Sequence, residues 1–125
     1  LKYIMEWNEK RMQNALIYNQ LLSGIDGVVT PTIHPDVKHV FHLYVIRLKQ
    51  RDKLQTHLRK LGISTGIHYP TALPFLKAYE YLGLNVEDFP VAYRYSSEIL
   101  SLPMYPELNR DQLICIADAI RKGIL

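Results

Sequence analysis

The amino-acid sequence predicts an α+β (α/β sandwich) fold: a small, mostly antiparallel sheet of about three strands covered by helices. Three observations carry that class. Segments with helical apolar periodicity open and close a chain of 125 residues, a length suited to one core. The β-branched and aromatic runs between them are short, and two of the three are cut by proline. The order helix, strand, helix, strand, helices, strand, helix leaves the helices to supply most of the buried apolar area.

The opening stretch, "LKYIMEWNEKRMQNALIYNQLLSG", holds no glycine or proline before Gly24 and places Met5, Met12, Ala15, Leu16 and Leu22 roughly on one helical face. It has no N-cap residue, so residues 1–24 are expected to be a helix that begins inside something larger, with Tyr3, Ile4 and Trp7 reserved for a second neighbour. "HVFHLYVIRL", residues 39–48, predicts a central strand, with Val40, His42, Tyr44 and Ile46 on one face and Phe41, Leu43, Val45 and Arg47 on the other. "RDKLQTHLRKLG" brings Leu54, Leu58 and Leu61 to helical spacing and ends at Gly62. "ISTGIHY" predicts a short strand stopped by Pro70, and "LPFLKAYEYLG" a short helix with Pro74 in its first turn and Gly83 at its end. A further helix starts at Asp88 and Pro90 and runs into a third extended segment, "LSLPMYP". The closing helix has Asn109 as N-cap, Asp111 in its first turn and Arg121 and Lys122 in its last.

Charge and composition exclude several classes. The formal net charge is +3, but the basic residues are interspersed with acids and no nucleic-acid signature accompanies them, so no nucleic-acid partner is expected. No apolar run approaches the roughly 20 residues needed to cross a bilayer, and no leader pattern is present, which points to a cytoplasmic protein without a membrane partner. Cys115, spaced with Leu113, Ile116 and Ile120, is expected to be a buried core thiol.

Few residues suggest chemistry. Ser96, Ser97 and Ser101 lie in no nucleophile elbow; the histidines at 34, 39, 42, 57 and 68 lack ligand spacing, so no metal site is expected; and the glycines are single terminators rather than a phosphate loop. His57 reads as a helix-surface residue and His42 as a satisfied core histidine. The exception is "GIHYP", residues 66–70, where a strand end presents His68 beside Tyr69 and Pro70 prevents further pairing. Imidazole and phenol together suit hydroxyls, carboxylates or phosphates. The residue types equally allow Tyr69 to pack in the core while His68 caps a turn.

The segments "HVFHLYVIRLKQRDKLQTHLRKLGISTGIHYPTALPFLKAYEYLG" and "EDFPVAYRYSSEILSLPMYPELNRDQL", preceded by "RMQNALIYNQLL", resemble the C-terminal small domain of the DegT/StrS-type nucleotide-sugar aminotransferases, pyridoxal-phosphate (PLP) enzymes of the aspartate-aminotransferase fold. The resemblance spans essentially all of residues 1–125 and implies a fold of the aminotransferase small-domain type. It implies a parent enzyme that moves an amino group from glutamate or glutamine to a keto sugar on a nucleotide carrier, in polysaccharide or glycoconjugate biosynthesis. It also implies a large N-terminal domain carrying the Schiff-base lysine, and a homodimer. On that reading no catalytic residue lies in this chain, Lys2, Lys38 and Lys77 are not candidates, and the piece alone binds no PLP and is inactive. The resemblance places His68, Tyr69 and, less directly, Tyr79 against substrate. Ala72, Pro74, Leu76 and Lys77 stand where many members carry Pro-x-His and Gln-Pro, marking a distinct branch. The runner-up is a non-catalytic regulatory or protein-interaction module of the same ancestry.

Overall fold

The structure, a computed structural model, describes residues 1–124. Helix α1 (Ile4–Leu22) opens the chain. Strand β1 (Tyr44–Arg47) and helix α2 (Arg51–Lys60) follow. Helix α3 (Pro90–Glu98) leads directly into strand β2 (Ile99–Leu102), and helix α4 (Arg110–Ile124) ends the described chain.

β1 and β2 pair antiparallel, with Tyr44 opposite Leu102 and Arg47 opposite Ile99. The third extended segment joins this sheet through one residue: Gly66 and Ser101 exchange two backbone hydrogen bonds, of 3.0 and 2.7 Å. On the other edge Val29 and Arg47 exchange a similar pair, both 2.9 Å. Two strands flanked by single-residue bridges therefore replace the three strands expected. Helix α4 packs on α1 and α2, and α2 also touches β2. Among the described residues no helix is long and apolar enough to cross a membrane.

Helix α4 follows its sequence most closely. Leu113, Ile116, Ala117 and Ile120 are buried at the i, i+3, i+4, i+7 spacing of one face. Asn109 Oδ1 accepts from the Gln112 amide at 2.9 Å while Gln112 Oε1 accepts from the Asn109 amide at 3.0 Å, a reciprocal capping box. Near its end Gly123 allows α2 to come close, since a Cβ there would lie 2.7 Å from His57 Cδ2 and 2.8 Å from Leu54 Cδ1. His57 is accordingly half-buried at the α2–α4 contact, with its Nε2 atom buried, and Gly123 is a packing residue rather than a terminator.

Elsewhere the local reading needs correction. In α1 the buried face is Asn14, Ala15, Tyr18 and Leu22, whereas Met5 and Leu16 are exposed. Two buried tyrosines set that face: Tyr18 donates to Pro103 O (3.0 Å), Tyr44 donates to Asn19 Oδ1 (2.6 Å), and their rings lie 4.8 Å apart. Burial pushes both phenols above their ordinary range. The run 39–43 is not strand. Phe41 takes a left-handed backbone (φ 45°), its amide bonding His39 Nδ1 at 3.0 Å, so that its ring can be buried near Tyr44. That bend breaks the period of two and leaves His42 exposed. Cys115 is also exposed, because at 100° per residue it points away from the face holding Leu113 and Ile116. The helix expected over residues 73–83 is two 3₁₀ turns, Leu73–Phe75 and Lys77–Leu82, interrupted by extended Leu76 (ψ 139°). Neither turn has a buried residue to favour a longer α-helix.

Candidate functional site

The end of the Gly66 segment and the start of β2 build the site. Gly66 is fixed on Ser101 by its two backbone bonds, and its missing Cβ makes room for the His68 ring: a Cβ would stand 2.5 Å from His68 Cε1. The His68 Nδ1 atom lies 2.9 Å from Ser101 Oγ, and Ser101 is buried. The Tyr69 ring meets the imidazole edge-on, with centroids 5.7 Å apart. The His68–Tyr69 peptide bond is cis. Tyr69 is 74% exposed, so it does not pack in the core.

Beyond His68 the Tyr69 ring forms part of an open cavity of about 550 Å³, lined also by Pro70, Leu73, Leu76, Tyr95 and Ile99. The cavity is predominantly apolar, with Ser96 among its few polar contributors. Behind it, Arg47 stacks on Tyr95 with its guanidinium carbon 3.9 Å from the ring centroid and pairs with Glu98 at 3.1 Å. Buried Arg51, the first residue of α2, donates to Ser96 O (3.4 Å) and Ile99 O (3.0 Å) and so holds the α3–β2 junction. An apolar wall that includes the Tyr69 phenol, with an imidazole on the adjacent residue, can take a ring-bearing ligand and direct hydrogen bonds to its oxygens.

The sequence-derived site residues do not all converge. His68 and Tyr69 are brought together, whereas Tyr79 lines a separate hollow with Pro74, Phe75, Lys77 and Leu84. Sequence reasoning missed Tyr95, Arg51 and Ser101. The available signal for Ser101 was a small polar residue between Leu100 and Leu102 in a strand otherwise apolar. Every lysine is exposed, and Lys10 is held above its usual range by its hydrogen bond and charge pairing with Glu6. Among the described residues no group of histidine, cysteine or carboxylate side chains is placed to hold a metal ion.

A family model described as the DegT/DnrJ/EryC1/StrS aminotransferase family matches residues 1–121. The chain belongs to that family. Among curated relatives of this aminotransferase family, it is 37% identical to the erythromycin biosynthesis sensory transduction protein EryC1 of Saccharopolyspora erythraea, over 98% of this chain and 34% of the relative. It is 34% identical to the dTDP-3-amino-3,4,6-trideoxy-alpha-D-glucose transaminase of Streptomyces venezuelae, over 98% of this chain and 32% of that protein. The fold superposes on the crystal structure of S. venezuelae DesV in complex with a ketimine intermediate, with a TM-score of 0.93 and 34% identity, covering 98% of this chain and 33% of DesV. The chain thus spans about a third of the length of these aminotransferase-family relatives.

Proposed function

We propose that the chain is the C-terminal small domain of a PLP-dependent aminotransferase that moves an amino group from glutamate or glutamine to a keto sugar carried on a nucleotide. The observation that carries this reading is the apolar cavity lined by Tyr69, with exposed His68 on the neighbouring residue, in a chain similar to DesV and to a dTDP-amino-sugar transaminase. In it the segment from Gly66 to Tyr95 is one wall of the active site, and helix α1 is the connection from a large N-terminal domain. The exposed Tyr3, Met5 and Trp7 of the chain's start suit such a contact. A homodimer of the intact enzyme belongs to the same reading.

The residues of this chain do not themselves fit the cofactor. PLP, when bound, supplies the electron sink for amino transfer, and it needs an imine-forming lysine whose charge is suppressed by its surroundings. Every lysine here is exposed, and the Glu6 pairing favours the charged form of Lys10. The reactive lysine and the phosphate contacts are therefore assigned to the remainder of the protein, and the isolated chain is inactive. What this chain contributes is orientation. Tyr69 and the apolar wall hold a sugar or base ring, while His68 engages an oxygen of the sugar or diphosphate.

The test uses the full-length protein. His68→Ala is expected to raise KM for the keto-sugar nucleotide about tenfold, the effect of losing one directed hydrogen bond, with cofactor absorbance unchanged. Wild-type KM in both His68→Ala and Tyr69→Phe would remove these residues from the substrate site. A regulatory or interaction module of the same ancestry is the second reading, favoured by the sensory transduction description of the EryC1 relative. Amino transfer by the full-length protein would reject it.

A further inference from the structure

We infer that Ser101 is a positioning residue that holds His68 in a single neutral tautomer, with the proton on Nε2. Ser101 is 4% exposed, and among the described residues its hydroxyl has one hydrogen-bond partner, His68 Nδ1, at 2.9 Å. A buried hydroxyl proton left without an acceptor keeps its full desolvation penalty. A proton on His68 Nδ1 would impose that cost, because the nitrogen would then donate to Oγ and the serine O–H would point at nothing. With the serine donating instead, Nδ1 accepts and the imidazole proton resides on Nε2.

Strand pairing sets the ring beside this hydroxyl. Gly66 and Ser101 face each other across two backbone bonds, so the serine is fixed relative to the chain that carries His68. The ring occupies the space over Gly66, where a Cβ would stand 2.5 Å from Cε1, 3.2 Å from Nδ1 and 3.4 Å from Nε2. The space left at Gly66 thus lets the imidazole reach the hydroxyl of Ser101. His68 is exposed and its Nε2 has no partner among the described residues. It is therefore an N–H donor awaiting an acceptor oxygen: a phosphate, a carboxylate or a sugar oxygen lone pair. The group serves as a hydrogen-bond donor to ligand rather than as a proton-abstracting base, and the ligand part of this statement rests on the substrate site proposed above.

The experiment is nitrogen NMR of the full-length protein labelled at histidine, at a pH of about 8.5 where an ordinary imidazole is neutral, with the His68 signals assigned by their loss in His68→Gln. The expected wild-type spectrum shows the Nε2–H tautomer. Ser101→Ala is expected to give a mixture of tautomers and a smaller rise in KM than His68→Ala. Gly66→Ala, which displaces the ring without touching the hydroxyl, should give the same loss of bias. Circular dichroism confirms that each variant is folded. An Nδ1–H tautomer in the wild type, or unchanged His68 signals in Ser101→Ala, would overturn the inference. The expected tautomer pattern together with an unaltered KM in His68→Ala supports the role of Ser101 and overturns only the substrate contact.

Discussion

Two regions of this molecule are built on different principles. Among the described residues, all the fully buried hydrophobic side chains lie from Ala15 to Leu58 and again from Leu100 to Ile120; between Arg59 and Ile99 there is none. The first region is a frame of α1, α2, α4 and the paired strands. The second carries His68, Tyr69 and Tyr79, the two 3₁₀ turns already described, a third at Val86–Asp88, and α3, and it exposes Leu73, Tyr81, Phe89 and Tyr93. The frame is stabilised by removal of apolar area from water, while the site segment is held by a few directed contacts at its ends and by partly buried Ile63 and Ile67 packed on the frame. A surface free of burial constraints is available for ligand and for neighbouring protein.

Substitutions can break that contrast. Leu58→Ala, in the frame, is expected to lower unfolding free energy by about 2–5 kcal/mol, whereas Leu73→Ala on the site segment should change it by no more than about 0.5 kcal/mol. Urea titration compares the two directly, and equal losses would contradict the division. Next comes Arg51→Ala, which removes the bonds to Ser96 O and Ile99 O and should cost about 2–3 kcal/mol. Hydrogen exchange should then show faster exchange in α3 with α4 still protected. Tyr18→Phe, which leaves the Pro103 carbonyl unpaired, is expected to cost about 1 kcal/mol by thermal or urea unfolding.

The same tyrosines sharpen the comparison through pH. Burial raises the folded-state phenols of Tyr18 and Tyr44 above the ordinary value of 10.0. The unfolded chain therefore loses these protons first, and their contribution, intact below pH 10.0, declines as pH rises above it. Urea midpoints measured from pH 8 upward should fall more steeply for the wild type than for Tyr18→Phe. Parallel curves would show that the phenol is not desolvated.

What was legible in the sequence follows the same boundary. Helix α4 could be read in its face and cap because both are local: the apolar spacing and the Asn109–Gln112 pair need nothing from elsewhere. The bend at Phe41 could not, since it follows from a ring seeking a tertiary cavity beside Tyr44 at the expense of an unfavourable backbone. The exposure of Cys115 is legible in principle, since its angle on the α4 wheel places it away from Leu113 and Ile116, which spacing alone does not show. On the site segment propensity over 73–83 favoured a helix that no buried partner sustains. At the site, the adjacency of His68 and Tyr69 was covalent and hence visible, while Ser101 lies 33 positions away and reaches the histidine only through strand pairing.

The Gly66–Ser101 bridge and the Arg51 carbonyl contacts fasten the site segment close to where it leaves the frame and where it rejoins it. Between those two moorings no hydrophobic side chain is fully buried, although Ile67 packs on the frame and Tyr95 on Arg47. On the substrate site proposed above, exchange of the exposed side chains there is expected to alter the cavity lining while leaving the buried frame residues in place.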